Sequence, residues 1–375
     1  MHVVIFFTYD YSLKIWSDTG ILDRELIYYE KMLDKNNDLQ ITFVTYGDDD
    51  DLDLAINLER IKVIPVYSTI KKNKSKIINF IKSFYIPFLL KNKIKDIDVI
   101  KQYQLQGAWI SIIYKYLVKK PLIVRTGYDM YSFSIKEKKT ILKKYLYKTL
   151  TNLSLKKSDI YTVSSQSDYN FLKINFKFDE SKLLIRPNWV LEVNNYPIEN
   201  RSKNKILSIG RLEKQKNYKS MLQYISGTKF ELDIVGTGSL ESELREFALN
   251  NEIRANFLGQ INFEELQKLY SEYQYFMMFS DYEGHPKSLI EAMSAGCIPI
   301  VKLTKNIADI VNDSNSIIVD EQSKNMDELF KTRKMDHKDI KNLSKNAFEF
   351  SNNNYSIDII LDSEVRLYNS LIKSN

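Results

Sequence analysis

Short apolar runs alternate with longer amphipathic stretches along most of the chain, the signature of strand-helix-strand units wound around a parallel sheet. In the first half, runs at 3–7, 41–45, 61–66, 98–101, 122–126 and 160–163 predict strands, and stretches near 21–34, 73–92, 107–118 and 135–153 predict helices. Pro87 is expected to kink or end the second helix, because it lacks the N–H that an interior turn needs. The pattern loosens around Pro187-Asn188-Trp189 and becomes polar and unpatterned through 198–204, which reads as a linker. A second series follows, with strands predicted at 206–209, 232–235, 256–258, 276–279, 298–301 and 317–319 and helices at 217–226, 240–250 and 263–272. The stretch 281–301 reads as loop, helix, turn and strand: Pro286 suits a first helical turn, Gly296 suits the exit, and Leu289, Ile290 and Met293 share one face. The tail from Tyr355 again has helical spacing. The pattern predicts two α/β domains, at 1–195 and 196–352, and a C-terminal helix at 353–375 whose packing partner is open, the first domain being one option. Two such units leave a cleft, and clefts between domains are preferred ligand sites.

Length agrees with this division, since 375 residues exceed one ordinary core. Hydrophobic residues at 44% and charged residues at 27% fit a globular chain rather than a disordered one. No run reaches the ~18 apolar residues of a membrane span. The N-terminus passes straight into His2-Val3-Val4-Ile5-Phe6-Phe7, without the basic start or cleavage site of a signal peptide. Cys297 is the only cysteine, which excludes an internal disulfide and a cysteine-rich metal site and points to the cytoplasm. The net charge of +6 is concentrated: Lys71, Lys72, Lys74, Lys76 and Lys82 form one cluster, and Lys136, Lys138, Lys139, Lys143, Lys144 and Lys148 another.

Candidate chemistry lies mainly in the second half. Ser208-Ile209-Gly210-Arg211-Leu212, with Lys216 five residues after Arg211, places two cations in a loop after a strand. An arginine can hold phosphate bidentately while a lysine adds a point charge, so the pair suits a diphosphate; a solvated loop is the plainer alternative. Val235-Gly236-Thr237-Gly238 is a strand, a glycine turn and a helix start, over which backbone could approach a phosphate. Glu241 stands where a dinucleotide fingerprint wants a third glycine, so hydride transfer loses ground. Phe257-Leu258-Gly259-Gln260-Ile261 ends another strand. Last comes Asp281–Val301, with Glu283 before a helix and Glu291 inside its second turn. Two acids beside a helix N-terminus suggest a ligand that carries both phosphate and hydroxyls. In the first half, Gly20 follows the first strand near a helix start, a weak donor-side candidate that an ordinary turn also explains.

In order along the chain, Gly210-Arg211-Leu212 with Lys216-Asn217, Val235-Gly236-Thr237-Gly238, Phe257-Leu258-Gly259, Glu283-Gly284-His285-Pro286 and Glu291-Ala292-Met293-Ser294-Ala295-Gly296 resemble the retaining GT-B glycosyltransferases of family four, the glycosyl transferases group 1. The resemblance implies two Rossmann-like domains facing each other across a cleft. It implies transfer of a sugar from a UDP- or GDP-linked donor to a glycan or lipid-linked acceptor, with retained configuration, in cell-surface polysaccharide or glycoconjugate synthesis. Arg211 and Lys216 would bind the donor diphosphate and stabilise the charge that grows on it as the glycosidic bond breaks. Glu283 would hold ring hydroxyls of the sugar. Gly210, Gly236, Gly238, Gly284, His285, Pro286, Lys287 and Ser288 would surround sugar and phosphate. Glu291 would grip the ribose, and Gln260 and Ile261 would meet the base. No protein nucleophile is required, because the donor phosphate itself takes the acceptor proton.

Many relatives carry a histidine in the first domain, facing the donor sugar. Here Leu122-Ile123-Val124-Arg125-Thr126-Gly127-Tyr128-Asp129 occupies that place without one, and Arg125, Tyr128 and Asp129 are the acceptor-side candidates. Asp96-Ile97-Asp98 and the run Asp48–Asp51 with Asp53 loosely match a metal-holding Asp-x-Asp pattern. The first sits where a strand begins and the second reads as a solvated loop, so no metal and no cofactor are expected. The interleaving of Lys143, Lys144 and Lys148 with Leu142, Tyr145, Leu146 and Tyr147 fits a helix resting on an anionic membrane. A core helix with a lysine-rich outer face fits as well. Nucleic acid is disfavoured, as no recognised binding motif accompanies the charge. Cytoplasmic placement, with peripheral contact at the inner membrane face as the further option, follows. A nucleotide-sugar epimerase of the same architecture and a catalytically silent binding subunit are the alternatives.

Overall fold

The structure, a computed structural model, describes residues 1–56, 58–192, 197–320 and 323–373. The predicted boundary between 195 and 196 falls outside the described residues. By internal contacts the chain forms two units, one of Met1–Pro187 with Leu361–Asn375 and one of Asn188–Ile360.

Unit 1 holds the parallel strands β1 (His2–Phe6), β2 (Gln40–Thr45), β3 (Ile61–Pro65), β4 (Val99–Tyr103), β5 (Leu122–Arg125), β6 (Ile160–Val163) and β7 (Leu183–Ile185), in the order β3-β2-β1-β4-β5-β6-β7. β1 runs Val3, Val4, Ile5 and Phe6, all buried, as expected of a central strand covered on both faces. The helices are α1 (Leu13–Asp18), α2 (Leu22–Lys35), α3 (Asp50–Ala55), α4 (Lys76–Ser83), α5 (Ile86–Lys93), α6 (Ala108–Val118), α7 (Met130–Lys136), α8 (Ile141–Lys157) and α9 (Gln166–Asn175).

Several expectations are corrected here. The helix predicted at 73–92 is two helices broken at Phe84-Tyr85, in line with the interruption expected at Pro87, which sits in the first turn of the second, where its missing N–H costs nothing. The helix predicted at 135–153 is also two: Asp129 caps α7 by accepting the Ser132 N–H at 2.6 Å, and Thr140 caps α8. The acidic run expected as a solvated loop runs into α3 from Asp50 onward; Asp48, Asp49, Asp50 and Asp53 are exposed as expected, but Asp51 is fully buried, accepting the Lys14 N–H at 3.0 Å.

A buried charge cluster ties the end of the chain to this sheet. Lys101, in the middle of β4, donates to Glu364, which also accepts from the Tyr28 and Tyr368 hydroxyls. Glu364 belongs to α16 (Ile357–Lys373), whose residues from Leu361 onwards are part of unit 1. Desolvation alone would raise the Glu364 pKa; Lys101 and Arg186 override it and hold the carboxyl down at about 2.

Unit 2 holds β8 (Ser202–Ile209), β9 (Glu231–Val235), β10 (Ala255–Gly259), β11 (Tyr273–Met278), β12 (Ile298–Val301) and β13 (Ile317–Ile318), all parallel, in the order β10-β9-β8-β11-β12-β13. The helices α10 (Tyr218–Ile225), α11 (Glu241–Asn250), α12 (Phe263–Tyr270), α13 (Lys287–Ser294), α14 (Met326–Arg333) and α15 (His337–Tyr355) complete it. The stretch 198–204, read as a linker, contributes a short turn and then the start of β8. Helix α15, absent from the sequence reading, opens with a capping box of Asp336 and Asp339 and packs on α13, where Ser351 Oγ donates to the Ile290 carbonyl at 2.7 Å. Cys297 is fully buried before β12, its Sγ 3.0 Å from the Tyr270 carbonyl, and burial pushes its thiol up to about 12.

Candidate functional site

β8 and β11 are neighbours although β9 and β10 lie between them in sequence, so the winding reverses direction at that pair. Loops leaving the carboxyl ends of two such strands diverge, and open α/β sheets hold ligands there. In unit 2 these loops are 210–217 and 279–286, and they carry Arg211, Lys216 and Glu283.

Hydrogen bonds stitch the two loops together. Gln215 donates from Nε2 to the Tyr282 carbonyl at 2.7 Å, and its own carbonyl accepts the Asp281 N–H at 2.9 Å. Asn217, left-handed at φ 51, donates from Nδ2 to Asp281 Oδ1 at 3.0 Å. Lys216 then reaches Glu283, with Nζ 2.6 Å from Oε1 and both side chains largely buried. A charge-assisted bond of this length, shielded from water, fixes both groups. Tyr218 donates its hydroxyl to the Gly210 carbonyl at 3.1 Å and closes the loop from below.

The glycine turn after β9 lies directly against the same loop. Gly210 N–H donates to the Val235 carbonyl at 3.0 Å, Leu212 N–H to the Thr237 carbonyl at 2.9 Å, and Leu240 N–H to the Leu212 carbonyl at 3.0 Å. A Cβ on Gly236, whose φ is 131, would stand 2.1 Å from the Gly210 carbonyl oxygen, and one on Gly238 would stand 2.5 Å from that of Leu212. On the side where a Cβ would point both glycines meet backbone, so chain packing by itself calls for glycine at both positions. Arg211 projects from this ladder and is exposed. Beside it, Glu213 accepts from the Ser239 N–H and hydroxyl at 3.0 and 2.8 Å, which hold its carboxyl below the usual range.

The second glutamate is set by α12 and α13. Glu291 is buried, and Tyr270 donates its hydroxyl to Oε2 at 3.1 Å. Gly284 and His285 are buried just before α13. Asn188 Nδ2 donates to the His285 carbonyl at 2.6 Å, and the imidazole meets the Tyr355 ring edge-on at 4.8 Å. Pro286 stands at the N-cap in extended conformation, with Lys287 and Ser288 half-buried in the first turn. Gln260 and Ile261 follow β10, the former exposed and the latter half-buried against the core. The sequence offered no signal for Gln215, Tyr218, Tyr270 or Asn188 and marked Asn217 only as the residue beside Lys216; their hydrogen bonds reveal all five as supports.

Unit 1 holds the remaining candidates. Gly20 is exposed between α1 and α2, separated from β1 by α1, a helix that was not foreseen. Arg125 ends β5 with its guanidinium 5.7 Å from the Tyr103 ring. Tyr128 is 40% exposed beside Phe133, their rings 4.3 Å apart. Asp129 is fully buried under α7, where desolvation raises its pKa to about 7; it is a helix cap, out of reach of an acceptor in this conformation. Asp98 accepts the His2 N–H at the start of β4, at the edge opposite the ligand side.

Residues 195–350 match the family profile described as Glycosyl transferases group 1. The segment is a group 1 glycosyltransferase domain. No curated protein matches the chain by sequence. Among solved structures, sucrose-phosphate synthase (tll1590) from Thermosynechococcus elongatus is similar over 100% of both chains, with a TM-score of 0.80 and 15% identity. HepE of Anabaena in complex with UDP-glucose is similar over 99% of this chain and 100% of its own, at 0.74 and 14%. A variant of S. aureus TarM in complex with Fondaparinux, alpha-GlcNAc-glycerol and UDP is similar over 98% and 100%, at 0.72 and 12%. These likenesses show the GT-B fold around the group 1 glycosyltransferase domain, as the resemblance implied. The matched segment includes both stitched loops and both glutamates.

Proposed function

We propose that this chain is a retaining, metal-independent glycosyltransferase that moves a sugar from a nucleotide diphosphate sugar to a glycan or lipid-linked acceptor in cell-surface glycan synthesis. The observation that carries it is the Lys216–Glu283 pair at the strand-order reversal of a group 1 domain. In this reading Lys216 and Arg211 take the diphosphate, whose negative charge rises as the bond to the sugar breaks. A cation held in place beforehand stabilises that change without reorganising. Glu283 orients Lys216 and accepts from sugar hydroxyls. Glu291, held by Tyr270, accepts from the ribose. Gln260 and Ile261 meet the base, and amides of Gly284 and His285 meet the sugar. Acceptor recognition is assigned to unit 1, with Tyr128 and Arg125 as its contacts. UDP is the first nucleotide to test, because HepE and the TarM variant are complexes with UDP-glucose and UDP.

Peripheral placement on the inner membrane face belongs to the same proposal. Among the described residues no helix is long and apolar enough to cross a membrane. What supports peripheral contact is α8, where Ile141, Leu142, Tyr145 and Leu146 are exposed among lysines.

The test is a thermal-shift screen against UDP, GDP and their sugars, followed by nucleotide-release assays on the hits. One diphosphate nucleotide should raise the melting temperature, and its sugar should turn over with EDTA present. Proton NMR of the product should show the donor's anomeric configuration. Absence of stabilisation by every nucleotide would remove the proposal, and turnover that stops on chelation and returns with manganese would remove its metal-independent part.

A further inference from the structure

Helix α4 is folded with its polar side inward. Its buried residues are Asn79 and Ser83. Asn79 Oδ1 accepts the Asn73 N–H at 2.7 Å while Nδ2 donates to the Asn73 carbonyl at 2.8 Å. Ser83 Oγ accepts from Trp109 Nε1, on α6, at 2.8 Å. The apolar residues face out: Ile77 is 72% exposed, Ile81 64% and Tyr85 60%, with Phe84 and Phe88 exposed beside them. Ile77 and Ile81, four residues apart, share one side of α4 as a stripe, and the exposed Phe84 and Tyr85 at the break and Phe88 on α5 follow them. A helix of a globular protein ordinarily turns that stripe to the core. Here amide and hydroxyl contacts hold the helix the other way, and a contiguous apolar surface of this kind marks a contact site.

The charge around the stripe selects the occupant. Residues 61–95 include no aspartate or glutamate, while Lys71, Lys72, Lys74 and Lys76 are exposed at the start of α4. Lys82 donates to the Lys71 carbonyl at 3.0 Å and fixes the basic loop against the helix. A second copy docked through the same patch would set lysine against lysine, since a two-fold interface pairs a surface with itself. An anionic bilayer accepts both features at once, the stripe at the acyl boundary and the lysines among headgroups. Helix α8 repeats the combination, with Ile141 85% exposed beside Lys143. The connections β3 to β4, β4 to β5 and β5 to β6 all step the same way across the sheet, and right-handed crossovers then place α4 to α6 and α8 on one face. Packing agrees, because α6 contacts both α5 and α8.

We propose that this helix layer of unit 1, led by the inverted helix α4, docks on an anionic phospholipid bilayer, with Ile77, Ile81 and Phe84 entering it. The inference names the surface for the membrane contact proposed above and rests on that part of the reading, but it does not depend on the transfer chemistry.

Full-length protein is floated with vesicles of phosphatidylcholine alone and of phosphatidylcholine with phosphatidylglycerol, at low and high salt. Flotation is expected with the anionic vesicles at low salt. The double change Ile77→Glu and Ile81→Glu should lower the bound fraction roughly tenfold or more, and Lys71→Gln, Lys72→Gln and Lys74→Gln about fivefold each. All these residues are exposed, so melting temperature and nucleotide-induced stabilisation should stay unchanged. Absence of flotation overturns the proposal, as does equal binding by the glutamate variant. Sedimentation showing a wild-type dimer that the glutamate variant abolishes would overturn it too, by giving the surface to a second copy. Nucleotide stabilisation is read separately, so loss of lipid binding with that signal intact counts against the docking surface alone.

Discussion

The two units share one way of winding a parallel sheet and put their charges in opposite places. Unit 2 brings Lys216 and Glu283 to the carboxyl edge, where loops meet and a ligand can arrive. Unit 1 sinks Lys101 and Glu364 beneath the edge, where they join the last helix to the first sheet. Apolar residues follow the reverse rule, with the switch-point helix α13 of unit 2 buried through Leu289, Ile290 and Met293, and α4 of unit 1 turned outward. A charge pair at a sheet edge is thus available for chemistry, whereas the same pair under the sheet serves assembly. The distinction is one of position, not residue type.

Breaking the buried pair should give the largest effect. Glu364→Ala leaves Lys101 uncompensated in the interior and should cost ~3–5 kcal/mol of unit 1 stability, read by denaturant unfolding. The wild type has its own acid signature. Because the folded pKa of Glu364 is depressed to about 2, its stabilisation is present above the usual glutamate range and disappears as pH falls through that value.

Next comes the edge pair. Lys216→Ala should lower turnover roughly 10²–10³-fold, the range for losing one preorganised group that stabilises developing charge, while circular dichroism stays unchanged. Equal turnover would sink the assignment of this pair to chemistry.

A third test concerns a buried acid, Asp129, raised to about 7 by desolvation first and by the neighbouring buried Asp168 second. Folded protein keeps this proton after unfolded protein has lost it, so stability declines as pH rises from the ordinary aspartate range to about 7 and is flat above. Asp129→Asn can still accept the Ser132 N–H, so it should melt higher than wild type at pH 8 by about 2 kcal/mol or more, and the gain should vanish near pH 4. A gain independent of pH would reject the buried proton. The smallest effect is expected from Gln215→Ala, which removes one stitch between the edge loops at about 1 kcal/mol and should raise KM before it touches kcat.

Much of unit 2 was legible because its strands are short apolar runs closed by glycines, and Gly210, Gly236, Gly259 and Gly296 fall at the turns. Arg211, Lys216 and Glu283 were legible for the same reason, since each lies in a loop after a strand, and Glu291 by its place in the helix that follows. Gly236 and Gly238 also have a packing role that the sequence did not show, because it cannot reveal which backbone stands against a glycine. Helix α4 was legible as a helix and not as an inverted one: Ile77, Ile81 and Phe84 have core spacing, and only the Asn79 and Ser83 contacts reveal which side faces in. Asp51, read as part of a solvated loop, and Asp129, read as an acceptor-side candidate, are both buried against backbone N–H donors that no sequence pattern locates. The link from Lys101 to Glu364 spans most of the chain, beyond any periodicity.

Cys297 gives unit 2 a property of a different kind. Burial holds its thiol near 12, so in the closed protein almost no thiolate exists to react. With no other cysteine in the chain, alkylation by an external reagent has one origin, and its rate measures how often the turn before β12 opens to solvent. The stretch thus carries an internal clock, which a nucleotide bound at the neighbouring helix should slow.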